Sequence, residues 1–98
     1  MLTMVTKVGR TDVNAEAMTK ARPRLTEIVD EARDRGIATA LCEYERPRAI
    51  VVSVPYFERA ERDAEMVRML AERHLELFEQ LTEEMPDIVV PRKMKTRD

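Results

Sequence analysis

Three basic residues stand close together at the predicted start of the first helix. Lys20, Arg22 and Arg24 occupy alternate positions there. The first turn of a helix has unpaired N–H groups and a positive macrodipole, and both attract anions. Three cationic side chains at such a place are suited to phosphate, and Arg22 could also reach a base edge. A solvated helix end has the same composition, so the pattern alone leaves both interpretations open.

Residues that could support catalysis or bind a metal are few. His74 is the sole histidine and Cys42 the sole cysteine, and neither has a partner at metal-ligand spacing. The adjacent carboxylates of Glu83 and Glu84 would point about 100° apart on a helix, so they cannot converge on one centre. We therefore expect no enzymatic activity, no cofactor, no metal site and no small-molecule substrate.

The chain is long enough for one small domain with a tail. It has 98 residues, of which 44% are apolar and 37% charged. No run of about 18 apolar residues is present, and residues 1–12 lack the apolar stretch of a secretory signal. A single cysteine excludes a disulfide-stapled scaffold. We expect a cytoplasmic protein that does not associate with membranes.

Charge is divided unevenly along the chain. The net charge is −2, yet residues 1–24 carry a net +3 and residues 61–87 a net −6. A basic front and an acidic C-terminal half suggest two surfaces with different partners. Two ordinary solvated faces would give the same division.

The first half of the sequence predicts a β-α-β-β unit. Thr19 to Arg35 has its apolar residues on one helical face, and Gly36 suits the left-handed position that ends a helix. Ile37 to Glu43 and Ile50 to Val54 are typical of strands, and the four or five residues between them predict a hairpin loop. Val13 to Met18 gives a weaker strand signal.

The second half predicts one long helix and an extended tail. The helical pattern runs from Tyr56 to about Glu84, and Pro86 stops it. The small N-terminal unit cannot cover the apolar stripe of so long a helix. The helix therefore either dimerises or enters the groove of another protein.

The stretch from Ala17 to Ala60 resembles the N-terminal domain of the Phd/YefM antitoxins of type II toxin–antitoxin modules. TKARPRLTEIVDEARDRG is similar to the first helix of that family, and IATALCEYERPRAIVVSVPYFERA is similar to its hairpin and second helix. The resemblance implies a dimerising, DNA-binding α+β domain followed by a toxin-neutralising segment. It places the DNA-contacting arginine of the first helix at Arg22. The second such arginine is replaced by Glu43, and Arg46 or Arg48 could supply the missing charge.

These observations define three segments: an arm over residues 1–12, the DNA-binding and dimerisation domain over 13–62, and the toxin-binding helix and tail over 63–98. The predicted function is that of an antitoxin which, as a homodimer, represses its own operon. A dimeric transcriptional regulator without a toxin is the alternative, and a third possibility keeps toxin neutralisation without DNA binding. The predicted DNA contacts are Lys20, Arg22, Arg24, Arg46 and Arg48, and the predicted toxin contacts are Met66, Leu70, Leu77, Phe78, Leu81, Ile88, Val89 and Val90.

Overall fold

The structure, a computed structural model, describes residues 4–97 and has the predicted α+β class. Its elements are β1 (Val5–Val8), β2 (Thr11–Ala17), α1 (Met18–Ala21), a 3-10 turn (Arg22–Arg24), α2 (Leu25–Arg35), β3 (Thr39–Glu43), β4 (Arg46–Val51), α3 (Val54–Arg73) and α4 (Leu75–Glu84). The chain divides into an N-terminal unit, Met1–Phe57, and a C-terminal unit, Glu58–Asp98. This boundary lies five residues before the one expected from the sequence.

The N-terminal unit contains a four-stranded sheet in the order β1-β2-β3-β4. β1 pairs antiparallel with β2, β2 pairs parallel with β3, and β3 pairs antiparallel with β4. The parallel pair requires a crossover, which α1, the 3-10 turn and α2 provide. β1 lies where we expected an arm. The physical reason is Gly9, whose φ of +61° allows a tight turn and so lets β1 pair with β2.

The first helix is interrupted at its start and ends as predicted. Pro23 has no N–H group to donate, and residues 22–24 form the 3-10 turn between α1 and α2. Gly36 ends α2 with a left-handed φ of +67°, and the Ile37 N–H donates to the Glu31 carbonyl at 3.2 Å. The Gly36 N–H donates to the same carbonyl, so both N–H groups that follow the helix bond to one carbonyl of its last turns.

The β3–β4 hairpin is tighter than the sequence suggested. Its loop contains only Tyr44 and Glu45, both with positive φ (53° and 64°), so the expected loop of four or five residues is wrong. Two residues with φ > 0 form the turn whose twist matches that of the flanking strands. β4 therefore begins at Arg46 and tolerates Pro47 because it is an edge strand.

The predicted long helix is two helices. α3 begins with a cap in which the Ser53 hydroxyl accepts from the Tyr56 N–H at 3.2 Å. The helix breaks at His74, where φ is −137° and ψ is 59°. No proline or glycine stands there, which is why the sequence pattern continued through the break. No helix among the described residues is long and apolar enough to cross a membrane.

The buried core is small and belongs to the N-terminal unit. Its buried apolar residues are Ala21, Ile28, Ala32, Ala40 and Cys42. Ile28 is the one large side chain that is fully buried among the described residues. In the described part of the C-terminal unit the one buried residue is the charged Arg68.

Candidate nucleic-acid interface and partner-binding segment

Lys20 and Arg22 are exposed cations beside the start of the crossover helix. Lys20 lies on α1 and Arg22 on the 3-10 turn. Within residues 4–97, neither side chain makes an ion pair. Both charges are therefore available to an external anion such as a phosphate group.

Arg24 differs from its two neighbours because carboxylates surround it. Its guanidinium donates to Glu16 on β2 at 2.5 Å and to Glu27 on α2 at 3.1 Å, and it lies 4.0 Å from Glu31. The hydrogen bonds to Glu16 and then Glu27 raise the pKa of Arg24, so the side chain stays charged. Three carboxylates offset this charge locally. Arg24 thus connects the start of α2 to β2, and it is the weakest of the three predicted phosphate ligands.

The sheet brings the hairpin arginines to the same end as the start of α1. Ala17, which precedes α1, pairs with Cys42 on β3, and Cys42 pairs with Pro47 on β4. Neighbouring strands lie about 4.8 Å apart, so two strand spacings separate Ala17 from Pro47, or about 10 Å. Arg46 and Arg48 flank Pro47 and are exposed. The predicted DNA-binding residues therefore come from elements that meet at one end of the sheet.

Acidic residues also lie at this end. Glu43 is the cross-strand partner of Arg46, and Glu45 occupies the turn. Arg48 is the extra residue of a bulge, because Leu41 pairs with Ala49 whereas Cys42 pairs with Pro47. The hairpin thus presents two cations and two anions, whereas Lys20 and Arg22 present positive charge alone. The helix start is the stronger half of this candidate interface.

The predicted partner contacts of the C-terminal unit are largely uncovered. Met66 on α3 is 65% exposed, and Leu77 and Leu81 on α4 are 48% and 45% exposed. Leu70 and Phe78 are half-buried. Residues four apart share a helix face, so Met66 lies with Leu70 and Leu77 with Leu81. The tail residues Ile88, Val89 and Val90 are exposed as well.

Each of these helices also has an acidic face. Glu58, Glu61 and Glu65 follow one another at spacings of three and four along α3, as do Glu76, Glu79 and Glu83 along α4. The spacing places each set on one side of its helix. An apolar row beside a carboxylate row suits a partner whose surface is apolar and basic.

Arg68 is a residue that the sequence analysis missed. Its guanidinium donates to Glu61 at 3.0 Å, to Glu65 at 2.8 Å, to the Pro91 carbonyl at 2.7 Å and to the Arg92 carbonyl at 3.0 Å. The hydrogen bond to Glu65 raises the pKa of Arg68. The spacing from Glu61 and Glu65 is visible in the sequence. The carbonyl acceptors are not, because any residue supplies a carbonyl.

The N-terminal unit also has uncovered apolar side chains. Leu25 and Val29 on α2 are 48% and 45% exposed, next to the fully buried Ile28. A row of this kind on a helix is suited to self-association. Within the described residues, no group of three His, Cys, Asp or Glu side chains could hold a metal ion.

Comparisons with protein-family models, with characterised proteins and with solved structures return no match to this chain.

Proposed function

We propose that this protein is a Phd/YefM-like antitoxin: a cytosolic homodimer that neutralises a cognate toxin and represses its own operon. The observation that carries the proposal is the exposure of three apolar side chains of the C-terminal unit, Met66, Leu77 and Leu81, on two helices that each have an acidic face. The resemblance of residues 17–60 to that family supplies the rest of the proposal.

Toxin neutralisation accounts for the composition of the C-terminal unit. A toxin that acts on RNA or nucleotides has a basic active-site groove. Exposed leucine and methionine side chains would provide affinity, while the carboxylates would speed association and compete with substrate phosphates. The tail residues Ile88, Val89 and Val90 would extend the same interface.

Operator binding draws on the end of the sheet described above. Lys20 and Arg22 would contact the phosphate backbone, with Arg46 and Arg48 as additional contacts from the hairpin. A two-fold dimer presents this set twice, as a palindromic operator requires. Toxin bound to the C-terminal units could assemble such dimers further.

Co-expression with the product of the adjacent reading frame tests the proposal. Leu77→Ala with Leu81→Ala removes two exposed anchors and should abolish protection from that product, since central anchors are worth about 2 kcal/mol or more each. Leu75→Ala is the matched control. Leu75 is also exposed on α4, at 56%, but lies about 160° around the helix from Leu77.

The outcomes separate the alternatives. If the product of the adjacent frame is harmless and does not bind, the chain is a dimeric regulator without a toxin. If the wild type protects cells but does not bind the DNA upstream of its own reading frame, the protein neutralises a toxin without repressing its operon. If the double variant protects cells as well as the wild type does, Leu77 and Leu81 are not part of the neutralising surface.

A further inference from the structure

Arg68 joins two parts of the C-terminal unit that are far apart in sequence. It lies on α3, yet two of its four hydrogen-bond acceptors are main-chain carbonyls 23 and 24 positions later. The segment between contains α4 and the turn in which the Ile88 N–H donates to the Met85 carbonyl at 3.0 Å. The hydrogen bonds of Arg68 to Pro91 and Arg92 therefore close a loop that contains most of the proposed partner-binding residues.

The chemistry of this arrangement requires arginine. The planar guanidinium has five N–H donors in a fixed fork, and here they serve two carboxylates on one side and two carbonyls on the other. A lysine ammonium is a single point charge and cannot hold four acceptors in that arrangement. The side chain is only 10% exposed. The tail carbonyls of Pro91 and Arg92 therefore take the place of water around part of this charge.

We propose that Arg68 is a positioning residue that pre-orders the partner-binding segment of the free chain. It fastens the tail at Pro91 and Arg92 and so restrains α4 and residues 85–90 before any partner arrives. A disordered segment loses conformational entropy when it binds, whereas a fastened one has already lost much of it. The role of Arg68 in partner binding rests on the proposed function. The fastening, which is the hydrogen bonding of Arg68 to the Pro91 and Arg92 carbonyls, does not depend on that function.

Limited trypsin digestion of the full chain tests the fastening in the absence of any partner. To cleave after Arg92, the protease must bind the main chain around Pro91 and Arg92, whose carbonyls Arg68 occupies. Arg68→Met should accelerate this cleavage at least tenfold, since the loop it closes is then open. Arg68→Lys keeps the charge and should behave like Arg68→Met. Arg62→Met is the matched control, because Arg62 is an exposed arginine of the same helix without an ion pair among the described residues.

A second readout protects the test against a variant that fails to fold. In the wild-type chain the Nε–H of Arg68 donates to the Pro91 carbonyl, so its NMR signal should exchange slowly with water. Equal cleavage after Arg92 in all four proteins, or a rapidly exchanging Nε–H signal, would overturn the fastening.

Binding to the product of the adjacent reading frame then tests the functional half. Arg68→Met should weaken that binding about tenfold, whereas Arg62→Met should leave it unchanged. If Arg68→Met releases the tail without changing the affinity, pre-ordering has no role in recognition and that half of the proposal is wrong. If the wild type itself binds nothing, the proposed function fails while the fastening result stands.

Discussion

At the scale of single residues, the three cations at the helix start have different environments despite their similar sequence positions. Arg24 is surrounded by Glu16, Glu27 and Glu31, whereas Lys20 and Arg22 make no ion pair in the described chain. A charge already offset by carboxylates attracts phosphate less than a free one. The structure therefore gives Arg24 a role in the fold and leaves Arg22 as the main candidate for binding DNA.

This difference predicts opposite behaviour of two arginine variants. Arg22→Gln should weaken binding to the DNA upstream of the reading frame and reduce the log–log salt slope by about 0.9 for each phosphate that is no longer neutralised. Arg24→Gln should leave that slope unchanged and lower the melting temperature instead, because Glu16, Glu27 and Glu31 lose their partner. Anisotropy titrations at several salt concentrations, with thermal melts, distinguish the two. An equal reduction of the slope in both variants would place Arg24 at the phosphate backbone.

At the scale of elements, the β3–β4 hairpin uses residues that fit its turn poorly. Tyr44 and Glu45 both adopt positive φ, which L-residues with a Cβ disfavour, and Tyr44 is 91% exposed. Nearby side chains therefore do little to hold the turn. The pairing of β3 with β4 provides the restraint, since Glu43 pairs with Arg46 directly across the turn.

Glycine at the second turn position should stabilise the chain. Glu45→Gly relieves the left-handed conformation and should raise the free energy of unfolding by about 1 kcal/mol. Glu43→Gly is the control, since the same change inside strand β3 should destabilise the chain. Urea denaturation of the two variants measures both effects. A decrease in stability with Glu45→Gly would show that the turn does not have positive φ in solution.

At the scale of the whole molecule, both units leave apolar surface uncovered. Met66, Leu77 and Leu81 are exposed in the C-terminal unit. In the N-terminal unit, Leu25 and Val29 are exposed beside the buried Ile28, so this face of α2 is apolar and accessible to a partner.

Self-association through this face is testable with the full chain. We expect the wild type to sediment as a dimer, and Leu25→Asp with Val29→Asp to give a monomer of unchanged helix content, because both side chains are exposed in the single chain. Thr26→Asp introduces one such charge at an exposed neighbour on α2 and should remain dimeric. A dimeric double variant would exclude this face, and a monomeric wild type would contradict the proposed dimer.

Sequence alone determined the features that depend on neighbouring residues. The end of α2 at Gly36 follows from the conformational freedom of glycine, and Ile50 and Val51 lie in a strand because β-branched side chains favour it. The division of charge along the chain and the helical spacing of the apolar residues after residue 60 can be read directly from the sequence. They required no knowledge of which residues meet in space.

Tertiary structure decided the features that depend on residues distant in sequence. Arg24 meets Glu16 from eight positions away, and Arg68 meets Pro91 from 23. The helix breaks at His74 although neither proline nor glycine marks that position in the sequence. Strand β1 forms because it pairs with β2. The hydrogen bonds of Arg68 end on main-chain carbonyls, which every residue has. Only the folded path of the chain selects which carbonyl is reached, so no pattern of side chains could have indicated the fastening.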